Sequence, residues 1–166
     1  MTITIRRAVP SDVSAILDMV VALAVYERMP DAVKATEESL ARTLFGPDPR
    51  VFVHVADQDG KAVGIALWFL TYSTWTGKPS LYLEDLFVAP DARGKGVGKA
   101  LLVRLAQLAL ERDCARLEWW VLDWNTPAID FYRSIGARPM DEWTVQRVDG
   151  EALIALAGQE SAHGRQ

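Results

Sequence analysis

The sequence predicts one α/β domain with a mixed, mostly antiparallel sheet and flanking helices. Short alternating runs of apolar residues lie in the middle of the chain, two helical patterns precede them, and a strand–helix–strand pattern follows. The chain has 166 residues, half of them hydrophobic, which is enough for one core. We assign residues 1–157 to this domain and expect residues 158–166 to form a polar tail.

The beginning of the chain is predicted as a strand followed by two helices. Residues 2–7 alternate apolar and polar side chains, as a strand does. Apolar residues then recur at helical spacing as far as Glu27, after a helix start at Ser11 or Asp12. A shorter helix is predicted from Thr36 to the residues before Gly46.

The middle of the chain is predicted as an antiparallel meander. Residues 50–56, 61–72 and 80–88 have the alternation of strands. Turn-forming residues at 57–60 and 76–79 separate them, so each strand folds back on the one before it.

The rest of the chain is predicted as helix, strand, helix and two closing strands. A glycine cluster opens the first helix, residues 117–122 form the strand, and residues 126–136 form the second helix. Residues 143–148 and 152–157 are predicted as the closing strands. The complete predicted order is β-α-α-β-β-β-α-β-α-β-β.

Composition and charge narrow the class of protein. The formal net charge of −4 argues against a nucleic-acid-coating surface. The single Cys114 excludes an internal disulfide and is interpreted as a structural thiol. His54 and His163 lie in unrelated settings, so we predict no metal. Because the N-terminus has no signal-peptide pattern and no run is long enough to cross a bilayer, we expect a cytoplasmic protein without a membrane partner.

The most informative motif is a basic, glycine-rich segment that opens a helix after a strand. Amide groups at a helix N-terminus and the helix dipole favour an anion, which indicates a phosphate or pyrophosphate site. A solvated glycine turn is the alternative. The spacing fits neither a P-loop nor a dinucleotide fingerprint. The residues are Arg93, Gly94, Lys95, Gly96, Val97, Gly98 and Lys99.

Three segments resemble the GNAT family of acetyltransferases. Arg93-x-x-Gly96-x-Gly98 resembles the family's pyrophosphate loop, residues 81–88 its fourth strand, and residues 124–137 its second cofactor-contacting segment. The resemblance implies the GNAT fold and an N-acetyltransferase that uses acetyl-CoA as co-substrate and no metal.

Within the family, the chain most resembles the diamine acetyltransferases of the spermidine/spermine and thialysine type. Residues 24–27, 71–78 and 82–85 carry this resemblance, which implies a small-molecule amine substrate and a homodimer. Diamine acetyltransferases have an acid where this chain has Ser73. We therefore expect a diamine, polyamine or lysine-like amine as the substrate, with only modest activity on spermidine.

The resemblance also assigns the catalytic residues. Glu84 is expected to be the general base, acting through water, and Tyr132 the general acid at the thioester sulfur. The alternative for Glu84 is a surface acid, and the alternative for Tyr132 is an aromatic residue of the core. Asp85 is expected to point away from Glu84, because successive strand residues face opposite sides of a sheet.

The remaining assignments concern binding. The pantetheine arm is expected to pair along Leu86, Phe87 and Val88 as an added strand would. Asn125 either contacts the pantetheine or caps a helix. The substrate is expected to contact Glu27, Ser73, Trp75 and Glu84. For Trp75, a surface residue outside the site is the open alternative.

Two other functions compete with the acetyltransferase. A non-catalytic acyl-CoA sensor or regulatory protein would keep the fold without the chemistry. A dinucleotide-binding oxidoreductase is disfavoured by the glycine spacing and by the antiparallel topology.

Overall fold

The computed structural model describes residues 2–159. The chain divides into two compact units, Met1–Asp123 and Trp124–Gln166. The assignment of residues 1–157 to one domain stays a prediction. His163 and most of the expected polar tail lie outside the described residues.

The first unit contains a five-stranded sheet whose strand order follows the chain. Each of the first four strands is antiparallel to its neighbour, and the fifth is parallel to the fourth. The predicted mixed, mostly antiparallel sheet is confirmed, although the fifth strand is shorter than predicted. The strands are β1 (Ile3–Arg7), β2 (Val51–Gln58), β3 (Lys61–Ser73), β4 (Lys78–Val88) and β5 (Arg116–Trp119).

Three helices cover the two faces of this sheet. They are α1 (Val13–Tyr26), α2 (Glu37–Phe45) and α3 (Val97–Glu111). The start of α2 has a reciprocal cap, because Thr36 Oγ1 accepts from the Ser39 amide at 3.1 Å and Ser39 Oγ accepts from the Thr36 amide at 2.9 Å.

Asp12, one of the two predicted caps of the first helix, occupies the N-cap position of α1, but its side chain makes no capping bond to that helix. Its carboxylate accepts from Arg6 at 2.7 Å and from the Val9 amide at 2.8 Å. The Arg6 guanidinium lowers the pKa of Asp12. This ion pair fixes β1 to the turn that leads into α1.

The sheet separates two groups of apolar contacts. Residues of β2, β3 and β4 on one face pack with α1 and α2, including Val53, Val55, Ile65, Leu67 and Phe87. On the other face, α3 approaches the backbone of β3 closely at Gly64. A Cβ at this position would lie 3.1 Å from the Phe87 carbonyl oxygen and 3.3 Å from Val97 Cγ1. Gly64 therefore allows α3 to pack against the sheet.

The second unit contains two helices, α4 (Thr126–Ser134) and α5 (Gly150–Ala157). The two predicted closing strands are wrong. Alanine, leucine and glutamate dominate residues 150–157, and these are strong helix formers, so the apolar run is a helix. Residues 143–148 do alternate, but they are neither strand nor helix in the structure. Alternation alone does not make a strand, because a strand also needs a partner for its backbone groups.

No helix within residues 2–159 is both long and apolar enough to span a membrane.

Candidate active site

A β-bulge interrupts the alternation of β4 at Glu84. Leu67 of β3 lies opposite Asp85, whereas the next residue, Trp68, lies opposite Leu83, so Glu84 is the extra residue. Directly opposed residues share a face of the sheet. Asp85 therefore faces the side of α1 and α2 with Leu67, while Leu83 faces the other side.

The bulge brings three carboxylates into an acidic cluster, which we define as Glu27, Glu84 and Asp85. Burial raises the pKa of Asp85 to about 6, with the charges of Glu84 and then Glu27 adding to the effect. Burial and then the charge of Glu84 raise the pKa of Glu27. Glu84 itself is exposed. The cluster can attract a cationic amine and can accept a proton from it.

Two of these acids were predicted as site residues and the structure brings them together. The expectation that Asp85 points away from Glu84 assumed strict alternation, which the bulge interrupts, and the charges of both Glu84 and Glu27 act on Asp85. The sequence does not reveal this, since a bulge depends on how β4 pairs with β3 and leaves no fixed pattern in β4 alone.

The part of β4 beyond the bulge has an open edge. β5 pairs with β4 only at Ser80–Leu83 in the described part of the chain, whereas β4 continues to Val88. The Ala89 amide donates to the Val63 carbonyl at 2.9 Å. Because hydrogen-bonded and non-hydrogen-bonded pairs alternate along antiparallel strands, the amides and carbonyls of Leu86 and Val88 point away from β3. They face the open edge, where an extended ligand can pair with them.

The glycine loop, defined as residues 93–98, lies at the end of this edge. Gly96 occupies the N-cap position of α3 with φ of 78°, a left-handed conformation that favours glycine. Arg93 Nε donates to the Val88 carbonyl at 2.9 Å, and Lys95 Nζ donates to the Asp91 carbonyl at 2.9 Å. These bonds hold two cations beside the first turn of α3, whose amide groups have no acceptor within the helix.

The guanidinium of Arg93 also lies over two aromatic rings. Its carbon is 5.4 Å from the centroid of Phe87 and 5.8 Å from that of Tyr26. Arg93 therefore connects the glycine loop to the end of α1, where Glu27 belongs to the acidic cluster. The basic residues predicted for the anion site thus lie next to a helix N-terminus, and binding of an anion there stays a prediction.

Two predicted substrate residues lie far from the acidic cluster. Ser73 pairs with Lys78, six residues before Glu84 in β4, so at about 3.3 Å per residue the separation is about 20 Å. Trp75 lies in the turn beyond and is 81% exposed. A single chain does not bring these residues to Glu84.

Ser73 has a cationic neighbour that sequence reasoning missed. Its Oγ accepts from the Thr76 amide at 3.3 Å and from the Arg116 guanidinium at 3.3 Å. Arg116 also pairs with Glu118 at 3.3 Å. Ser73 is thus a hydroxyl beside an arginine that is itself paired with an acid.

Asn125 and Tyr132 belong to the second unit. Asn125 occupies the N-cap position of α4 without a capping bond from its side chain, while its carbonyl accepts from the Ile129 amide at 3.0 Å. The ring of Tyr132 lies 5.7 Å from that of Phe131, and both residues are half-buried. Their predicted roles toward acetyl-CoA stay predictions.

The cysteine has the environment predicted for it. Cys114 is buried between the end of α3 and the start of β5, and burial raises the pKa of its thiol. A raised pKa disfavours the thiolate, so this is not the environment of a nucleophile. Among residues 2–159, no group of three or more His, Cys, Asp or Glu side chains is arranged to hold a metal ion.

A family model for the acetyltransferase (GNAT) family matches residues 16–137. The chain belongs to this family of N-acetyltransferases and is an enzyme.

Individual relatives agree with this assignment. A thialysine N-epsilon-acetyltransferase from Sus scrofa is 39% identical, covering 95% of this chain and 99% of its own. An L-ornithine N5-acetyltransferase from Arabidopsis thaliana is 31% identical, covering 92% and 86%. Among solved structures, an integron cassette protein from the mobile metagenome of V. cholerae superposes with a TM-score of 0.80 at 31% identity, covering 96% of this chain and 99% of its own.

Proposed function

We propose that the protein transfers the acetyl group of acetyl-CoA to a primary amine of a small molecule. The observation that carries this proposal is the open edge of β4, which runs from the acidic cluster to the glycine loop. An extended pantetheine arm fits such an edge because it can pair with the outward-facing groups of Leu86 and with the Val88 amide, while the Val88 carbonyl accepts from Arg93. The pyrophosphate of the same molecule fits the basic N-terminus of α3.

The acidic cluster is proposed to prepare the amine. Acetyl-CoA supplies an activated thioester, and the amine must lose a proton before it can attack. Glu84 is exposed and adjacent to Asp85 and Glu27, so it is the proposed base, acting through water. The other two acids hold the cationic amine beside it. Tyr132 is proposed to donate a proton to the departing sulfur, a role carried by the resemblance alone.

The proposed substrate is an amino acid with a second amine in its side chain. Two relatives are named for thialysine and ornithine, which have this chemistry. Ser73 supplies a hydroxyl, and Arg116, which also pairs with Glu118, supplies further N–H groups, and both can donate to a carboxylate. This arrangement favours a zwitterionic amino acid over a polyamine.

Ser73 and Trp75 reach a substrate held at Glu84 only if a second copy of the chain supplies them. We propose a homodimer in which the β3–β4 turn of one copy lies against the acidic cluster of the other. Exposed aromatic rings at this turn support the proposal, since Tyr72 is 68% and Trp75 81% exposed.

The test is kcat/KM for thialysine, ornithine, lysine, putrescine and spermidine, followed as release of the CoA thiol. We expect the amino acids to be preferred in the wild type, and Ser73→Asp to shift the preference toward spermidine because it adds a carboxylate for a distal ammonium. Thr74→Asp, one residue further, is the matched control for added charge. A wild type that prefers spermidine, with no effect of Ser73→Asp, contradicts the proposed substrate. Binding of acetyl-CoA without turnover of any amine favours the alternative function, a non-catalytic acyl-CoA sensor.

A further inference from the structure

A cavity of about 290 Å³ lies on the α3 side of the sheet, where α3 ends. The helix has 15 residues, so at 1.5 Å per residue its two ends are about 22 Å apart. The glycine loop lies at the other end of the helix, and the cavity is therefore separate from the proposed acetyl-CoA site. Its principal lining residues are Arg7, Phe52, His54, Trp68, Arg104 and Arg112.

Three guanidinium groups from two elements line this cavity. Arg104 of α3 is bound to Glu111 at 2.8 Å. Within residues 2–159, neither Arg7 of β1 nor Arg112 at the end of α3 has a carboxylate oxygen within 4.0 Å. Three guanidinium groups therefore face one cavity, opposed by the charge of Glu111, which acts on Arg112 as well as on Arg104. The cavity keeps an excess of positive charge on a protein whose net charge is −4.

Aromatic rings at the base of the cavity hold these two guanidinium groups in place. The carbon of Arg7 lies 5.2 Å from the centroid of Phe52. Arg112 lies 5.6 Å from Phe52 and 5.2 Å from Trp68. A guanidinium that stacks on a ring keeps its N–H groups at its edge, where they can donate to a carboxylate or phosphate.

A buried histidine adds a neutral donor to the same cavity. His54 accepts at Nδ1 from Trp68 Nε1 at 3.0 Å, so in the neutral ring the proton lies on Nε2. Burial lowers the pKa of His54 to about 4, and the charges of Arg104, Arg7 and Arg112 act in the same direction, opposed by Glu111. The imidazole is therefore neutral at physiological pH and sits in a field of excess positive charge.

We propose that this cavity binds a small oxyanion with at least two negative charges, carried by phosphate or carboxylate groups. The guanidinium groups of Arg7 and Arg112, each of which lies over an aromatic ring, provide the countercharge. The cavity volume suits a compact metabolite rather than a polymer. The inference does not depend on the acetyltransferase activity.

The test is calorimetry with inorganic pyrophosphate and with citrate, on the full chain saturated with CoA so that the glycine loop is occupied. We expect saturable binding of at least one of them at one site. Arg7→Gln and Arg112→Gln each remove a charged hydrogen-bonding group and should weaken binding about tenfold. Arg50→Gln is the matched control, because Arg50 is an exposed arginine of the adjoining groove that pairs with Asp48 at 2.9 Å. Absence of saturable binding, or equal weakening by Arg50→Gln, overturns the proposal.

A second measurement on the wild type covers the case in which an arginine variant does not fold. The His54 imidazole is titrated by NMR with and without the anion. An anion between Arg7 and Arg112 favours the imidazolium, so the pKa of His54 should rise from about 4. Its other charged neighbours are Arg104 and Glu111. An unchanged His54 pKa under saturating anion rules the site out. The pyrophosphate and citrate arms distinguish a phosphate ligand from a carboxylate one.

Discussion

Replacing Asp85 with asparagine should stabilise the protein above neutral pH. The pKa of this carboxyl is raised from 3.8 to about 6, by burial first and then by the charges of Glu84 and Glu27. Ionising it in the folded protein therefore costs free energy that Asp85→Asn removes. At about 1.4 kcal/mol for each tenfold step in the proton affinity, the full cost is about 3 kcal/mol.

The sign of the pH dependence follows from which state holds the proton. Between about pH 4 and pH 6 the folded protein keeps a proton on Asp85 that the unfolded chain has released. The free energy of unfolding of the wild type therefore decreases as pH rises through this window, relative to the variant. The gain from Asp85→Asn should be about 1 kcal/mol at pH 4.5 and about 3 kcal/mol at pH 8.

Urea unfolding followed by circular dichroism, at pH 4.5 and pH 8, measures both gains. Asp18→Asn is the matched control, since it removes the same charge from an exposed position on α1 and should change stability little at either pH. An equal gain at the two pH values, or a loss at pH 8, would refute the argument that Asp85 is a buried carboxylate under repulsion from the acidic cluster.

Two further predictions concern the proposed acetyl-CoA site. Gly96→Glu should weaken CoA binding, measured by calorimetry, at least tenfold. The variant places a side chain at φ of 78° and a negative charge beside the pyrophosphate, and the repulsion costs up to about 4 kcal/mol at 4 Å. Gly96→Asn, whose side chain tolerates this φ, should weaken binding less, and unchanged CoA affinity of Gly96→Glu refutes the loop assignment. Tyr132→Phe should lower kcat by about 10²–10⁴-fold while acetyl-CoA affinity stays constant, because the hydroxyl acts in the transition state. Wild-type turnover in Tyr132→Phe, with chemistry shown to be rate-limiting, removes Tyr132 from the mechanism.

The sequence by itself determined the features that depend on local pattern. The meander of β2 to β4 follows from alternating apolar and polar residues bounded by turn residues. The start of α3 follows from a glycine cluster, because glycine favours the left-handed conformation found there. The glycine loop was predicted in the same way, whereas Glu27 and Glu84 were predicted from a family resemblance. Pattern failed at residues 143–157, where alternation and an apolar run indicated strands that have no partner.

Only the tertiary structure decided how residues distant in the sequence meet. The bulge at Glu84 is set by the register of β4 against β3, and it turns Asp85 toward Glu27 against the simple alternation. The distance of Ser73 and Trp75 from Glu84 follows from the length of the β3–β4 hairpin rather than from their composition. The arginine cavity joins β1 to the end of α3, two elements about a hundred residues apart in the chain. Register and long-range packing depend on all elements at once, so no local stretch of sequence encodes them.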